Sequence, residues 1–317
     1  MLDQEFSTGQ SIALDAAAHD ARDGESQQRR RRRVPVNDKL ETRRLLNGDE
    51  RQALSFLGQQ PLKNSIMIGL ITDHGLESQA NRGTFYGCFL QNQLIGMTLL
   101  GHCILLSGSR ETIKRFAQLA CLMDVSQVRM ILGEAGITDS FCRYLERMSS
   151  GLMVNQIVGQ QMLVLTGMPL ANHCAGELRP ARADELDQVA RMNAEAYFEL
   201  NGVDPAAKDP KGFRERVLSR IEMGRVWVVN DASGIAFKVD IVSMTDEAVY
   251  LEGILTRSDL RGTGLGSVGL GALCGQLLQH HKAICLFANA DNQSLLSFYG
   301  RIGFAPFASY RLVRCAR

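Results

Sequence analysis

No stretch of the 317-residue sequence approaches the ~18 consecutive apolar residues that a membrane-spanning helix requires. Its opening, MLDQEFSTGQ, is acidic and polar, not basic and then apolar as a secretory leader would be. No membrane partner and a cytoplasmic location are therefore expected. An excess of charge of one sign is missing too: 35 basic residues against 34 acidic ones leave a formal net charge of +1. Without a global field to favour polyanions, no nucleic-acid partner is expected. The eight cysteines (Cys88, Cys103, Cys121, Cys142, Cys174, Cys274, Cys285 and Cys315) include no CxxC pair and no histidine at ligand spacing. They read as reduced, mostly buried thiols, and no metal is expected.

What is present is enough chain for more than one core, since single cores stop growing near ~250–300 residues. Residues 1–38 are polar, contain the run Arg29 to Arg33 and show no apolar period, so they read as a disordered tail. From Lys39 the texture changes. TRRLL suggests a strand, DERQALSFL and NSIMIGLITDHG suggest helices, and GTFYGCFL, QLIGMTLLG and CILLSG suggest an antiparallel meander. A helix (ETIKRFAQLACLM), a strand (VRMILGE), a helix (SFCRYLERM) and an apolar stretch (QQMLVLTG) follow. The segment 169–176, with Pro169 and Gly176, is the best linker. After it the same order of elements recurs to the C-terminus. The pattern predicts two α+β units, over 39–168 and 177–317, each of ordinary domain size.

The second unit carries the chemistry. In LEGILTRSDLRGTGLGSVGLG, an apolar strand ends at Ile254, Leu255 and Thr256, a polar elbow follows, and Arg261, Gly262, Thr263, Gly264, Leu265, Gly266 and Ser267 open a helix. Glycines there permit a tight turn that exposes successive N–H groups at the positive end of the helix, an arrangement that cradles a pyrophosphate. Gly264, Gly266 and Gly269 also spell GxGxxG, with Asp291 downstream, so a nucleotide-dependent oxidoreductase is an alternative. The intervening RSDLR, the late position in the chain and the hairpin-like strands before it argue against a doubly wound fold.

Arg261, Gly264 and Gly266 match the R-x-x-G-x-G/A signature of the GNAT superfamily of N-acetyltransferases, and FANADNQSLLSFYGRIGF resembles that family's later strand–Asn, helix–Tyr and Gly-Phe block. The second half is therefore identified as a member of that superfamily, and the whole resembles bacterial two-domain proteins whose N-terminal half is degenerate. The resemblance implies a fold of tandem GNAT-like (acyl-CoA N-acyltransferase) units, each a mixed, mostly antiparallel sheet flanked by helices. It also implies acetyl-CoA as co-substrate and an amine acceptor. The thioester would be held by Ile254, Leu255, Thr256, the 261–267 loop, Asn289, Asn292 and Tyr299. The first half offers LLSGSRETIK in place of the phosphate loop, and it is expected to have lost CoA binding.

By the same resemblance, Glu252 is the candidate base and Tyr299 the candidate acid for direct attack of the amine on the thioester. Strand alternation predicts Glu252 on one face with Tyr250 and Ile254, part-buried. The alternatives are a structural Glu252 paired with an arginine and a Tyr299 that is core. Arg261 either serves the phosphate loop or pairs with Asp259. Glu199, Asp204 and Asp209, in ELNGVDPAAKDPKGF, are available to hold a cationic acceptor. A non-catalytic acyl-CoA-binding regulatory protein is the other alternative, and a homodimer is compatible with the sequence.

Overall fold

Glycine-bounded runs of branched and aromatic residues form the strands, and segments with apolar residues at helical spacing form the helices that cover them. The computed structural model describes residues 40–123, 127–148, 151–170, 177–201 and 204–315. The expected tail over 1–38 and residues 171–176 of the expected linker, with Cys174, lie outside the described residues.

The first half runs β1 (Glu41–Arg44), α1 (Glu50–Leu57), α2 (Ser65–His74), β2 (Gly83–Leu90), β3 (Gln93–Gly101), β4 (Cys103–Gly108), α3 (Arg110–Ala120), β5 (Met130–Glu134), α4 (Ala135–Arg147) and β6 (Val154–Leu165). The second half repeats the order with one extra short helix. It runs β7 (Leu178–Pro180), α5 (Leu186–Asn201), α6 (Pro205–Lys208), α7 (Pro210–Glu222), β8 (Val226–Asp231), β9 (Gly234–Met244), β10 (Val249–Thr256), α8 (Leu265–Leu277), β11 (Ile284–Asn289), α9 (Gln293–Ile302) and β12 (Ala305–Cys315). Turn chemistry follows the sequence. Gln91 and Asn92 both take positive φ in the two-residue loop between β2 and β3, as a hairpin with right-twisted strands requires. Asp209 caps α7 by accepting from Gly212 N, with Pro210 in the first turn.

The twelve strands among the described residues join one sheet in the order β1-β2-β3-β4-β5-β12-β6-β11-β10-β9-β8-β7. The halves exchange their last strands. β6, from the first half, pairs antiparallel with β11, and β12, from the second, pairs antiparallel with β5; the two exchanged strands pair with each other at the centre. Residues 39–317 accordingly form one compact unit. Among the described residues only β4–β5 and β10–β11 are parallel, so the sheet is mixed and mostly antiparallel, and not doubly wound.

In the second half one sheet face buries Phe237, Val239, Val249, Leu251, Ile284 and Leu286 beneath α8 and α9. The opposite face buries Val226, Val228 and Ile235 beneath α5 and α7. Further along that face, Tyr250, Cys285 and Tyr310 pack with Leu62 and Ile66 of the first half. α2 sits directly on β9: Ser243 Oγ donates to Ser65 O at 2.6 Å, and Arg225 binds Asp73 through both guanidinium nitrogens. Among the described cysteines, five are buried and two partly so, and burial pushes the thiols of Cys103 and Cys142 up to about 12.

Candidate active site

β10 and β11 lie parallel and pair only at Val249↔Ile284 and Tyr250↔Cys285, after which they part. Beyond the parting, β10 ends at Thr256, a single 3-10 turn covers Ser258–Leu260, and α8 begins at Leu265. Gly262 and Gly264 take φ of 83° and 91°, values that would strain any residue with a side chain. The space where their Cβ atoms would stand is open, with nothing within 4 Å. The first intrahelical bond runs from Val268 N to Gly264 O, and α8 has no side-chain cap. Among the described residues, the N–H groups of Gly262, Gly264, Leu265, Gly266 and Ser267 therefore have no backbone partner. An open cradle of free N–H groups at a helix N-terminus fits a pyrophosphate.

The walls of the cradle are fixed. Arg261 donates to Thr256 O at 3.3 Å and to both oxygens of Glu199 at 3.0 and 3.2 Å, tying the loop to α5. Asp259 is bound by Arg257 instead, so the alternative Arg261–Asp259 pair does not form. Thr263 Oγ1 donates to Leu260 O. A Cβ on Gly266 would lie 2.8 Å from Thr256 Oγ1, so glycine lets the helix end approach the strand.

Glu252 differs from expectation in two ways. It is exposed rather than part-buried. A bulge at Gly253, φ 56°, shifts the β9–β10 register between Glu252↔Asp240 and Leu255↔Lys238, which breaks the alternation. Glu252 keeps the face of Tyr250, whose hydroxyl donates to Glu252 Oε1, while Ile254 turns to the opposite face and packs with Leu251 under α8. Burial, and then the Glu252 carboxylate, hold the Tyr250 hydroxyl well above its ordinary range.

Tyr299 lies on the α8–α9 side, so the sheet separates it from Glu252, with the parted strands between. It is buried against Phe298 and Phe304 in edge-on contacts, and burial raises its hydroxyl above the usual tyrosine range. Among the described residues its hydroxyl has no hydrogen-bond partner. The two asparagines have local tasks. Asn289 Oδ1 accepts from Asp291 N, and Asn292 Oδ1 caps α9 by accepting from Leu295 N, both at 2.9 Å.

The acidic loop residues are also engaged. Glu199 holds Arg261, Asp204 caps α6 through Ala206 N, and Asp209 caps α7 and pairs with Arg216. Sequence reasoning missed a buried polar group beneath the bulge. Lys238, 1% exposed, donates to Asn193 Oδ1 at 2.6 Å and to Gly253 O at 2.9 Å, and pairs with the buried Asp240 at 2.9 Å. Arg220 reaches the other side of Asp240 at 3.2 Å. The available signal was IAFKVDIV, two charges of opposite sign two residues apart in an otherwise apolar strand.

No family model matches the sequence, and no curated protein matches it. Solved structures do. A tandem GNAT protein from the clavulanic acid biosynthesis pathway superposes with a TM-score of 0.55 at 14% identity, over 87% of this chain and 98% of its own. A GNAT-family acetyltransferase from Colwellia psychrerythraea gives 0.51 at 11% identity, over 87% of this chain and all of its own. A Drosophila protein gives 0.62 at 13%, over 88% and 99%. The parted parallel strands, the glycine cradle and these superpositions agree: the chain has the GNAT acetyltransferase fold, in two tandem copies.

Proposed function

We propose that the second half transfers an acetyl or other short acyl group from its CoA thioester to an amine by direct attack in a ternary complex. The observation that carries this reading is the uncapped, glycine-lined mouth of α8, set beside the point where β10 and β11 part. A pyrophosphate on the N–H groups of Gly262 and of residues 264–267 would direct the pantetheine arm into the gap between those strands. Glu252 then stands on the acceptor face and Tyr299 on the other. Glu252 takes the proton from the attacking ammonium, directly or through water. The amine nitrogen bonds to the thioester carbon, the C–S bond breaks, and Tyr299 gives its proton to the departing thiolate; the second proton shed by the nitrogen restores Tyr299 through water, leaving amide, free thiol and the one proton taken by Glu252. N–H groups of the bulged segment 253–255 polarise the carbonyl.

In this reading Asn289 and Asn292 shape the loop beside the cofactor arm rather than bind it with their oxygens. Titration calorimetry with CoA, acetyl-CoA, NAD and NADP is the first test. Binding of the CoA forms alone supports acyl transfer, whereas binding of only a nicotinamide dinucleotide would overturn it. With turnover followed by thiol release over an amine panel, Glu252→Gln and Tyr299→Phe should each lower kcat by about 100-fold while CoA affinity holds. Unchanged turnover in both would reassign the residues, and CoA binding without turnover in the unaltered protein would favour a regulatory acyl-CoA binder.

A further inference from the structure

Charged side chains almost never lie fully buried unless they are paired and hydrogen-bonded, because removing an ammonium from water is costly. Lys238 meets that condition by binding three groups from three different elements: Asn193 on α5, Asp240 on its own strand β9, and the main-chain oxygen of Gly253 in the bulge of β10. The third partner is the informative one. An extended strand would commit its carbonyl oxygens to the neighbouring ladder; here the bulge turns that of Gly253 inward onto a buried cation. Gly253 cannot be replaced without disturbing this, since an added Cβ would stand 2.8 Å from Asp240 Oδ2 and 2.9 Å from Lys238 Nζ, on a backbone with φ of 56°. Glu252, immediately before the bulge, and the 254–255 amides, immediately after it, take their directions from this anchor.

We propose that Lys238, held by Asp240 and Asn193, is a positioning residue. By fixing the Gly253 carbonyl it sets the bulge whose amides receive the thioester oxygen, and it links that bulge to the α5 helix on the acceptor side. This inference rests on the acyl-transfer reading above. The partners of Lys238 are Asn193, Asp240 and Gly253, none of them in the cradle at residues 261–267, so the two functions can be read separately. Binding of CoA without an acyl group reports on the cradle, and the environment of the acyl carbonyl reports on the bulge.

The experiment uses the full chain and acetyl-CoA labelled with carbon-13 at the thioester carbonyl. In the unaltered protein the bound carbonyl resonance should be displaced from its position in free acetyl-CoA. In Lys238→Met that displacement should collapse, acetyl-CoA affinity should fall about tenfold, and CoA affinity should change less than about twofold. Asn193→Ala, which removes one partner of Lys238, should shift the resonance part of the way with the fold intact. Should Lys238→Met not fold, Asn193→Ala decides the matter alone. A resonance unmoved in the folded variants would overturn the role of Lys238 while leaving the acyl-transfer reading intact. Absence of CoA binding by the unaltered protein would overturn that reading itself.

Discussion

The two helices that follow the parallel strands, α3 in the first half and α8 in the second, start from the same topological position and end with opposite electrostatics. α8 opens on glycines with free N–H groups and no acid in its first turn. α3 opens directly after Gly108 with Ser109 and Glu111, and the Glu111 carboxylate accepts from Ser109 Oγ at 2.9 Å and from its own backbone N–H, which lowers its proton affinity. Thr112 fills the remaining space: a Cβ on Gly108 or Gly96 would lie within 2.4 or 2.6 Å of its side chain. Beside β4 and β5 the segment before α2 lies against the sheet, where Lys63 pairs with Glu134 at 2.7 Å. One half leaves its helix dipole for an anion, and the other supplies the anion from its own chain.

The sharpest way to break this contrast is to give α8 an acid of its own. Ser267→Asp places a carboxylate among the N–H groups of the cradle. CoA affinity, measured by calorimetry, should fall by about 100-fold or more, as charges of like sign repel at short range. The melting temperature should hold or rise, because an acid in the first turn suits the helix dipole. The converse change, Glu111→Gln, should create no CoA binding in the first half, where no glycine loop waits to be freed.

Packing sharpens the comparison at an intermediate scale. Gly69 of α2 is pressed on β9, and a Cβ there would come within 2.3 Å of Ser243 Oγ. Gly69→Ala should therefore destabilise the chain by about 2 kcal/mol despite the better helix propensity of alanine. Gly300, in α9, has nothing within 4 Å of the same added atom, and Gly300→Ala should stabilise by about 0.5–1 kcal/mol. Chemical denaturation of both variants checks the opposite signs.

The remaining effect concerns pH. Burial, and then the arginines Arg82, Arg129 and Arg216, lower His102 from 6.5 to about 4. The native state thus resists a proton that the unfolded chain accepts. This contribution to stability is present above pH 6.5 and is lost as pH falls towards about 4. His102→Gln should flatten that part of the stability curve relative to the unaltered protein, as followed by denaturation at several pH values. Arg216 belongs to the second half, so the field on His102 crosses between the copies.

The sequence alone determined the local features. Alternation and glycine punctuation marked the strands and the repeat, and the 261–267 loop was legible because positive φ and free amides demand glycine at fixed spacing. The degenerate start of α3 was legible for the converse reason. Tertiary structure decided what depends on non-local pairing. The exchange of β6 and β12 between halves leaves no local trace, since either strand satisfies the same hydrogen bonds in either place. The bulge at Gly253 reversed the predicted side of Ile254, because one inserted residue inverts the alternation that periodicity assumes. The Lys238 cluster formed only when α5, β9 and β10 converged, for a buried charge finds its partners in space and not along the chain.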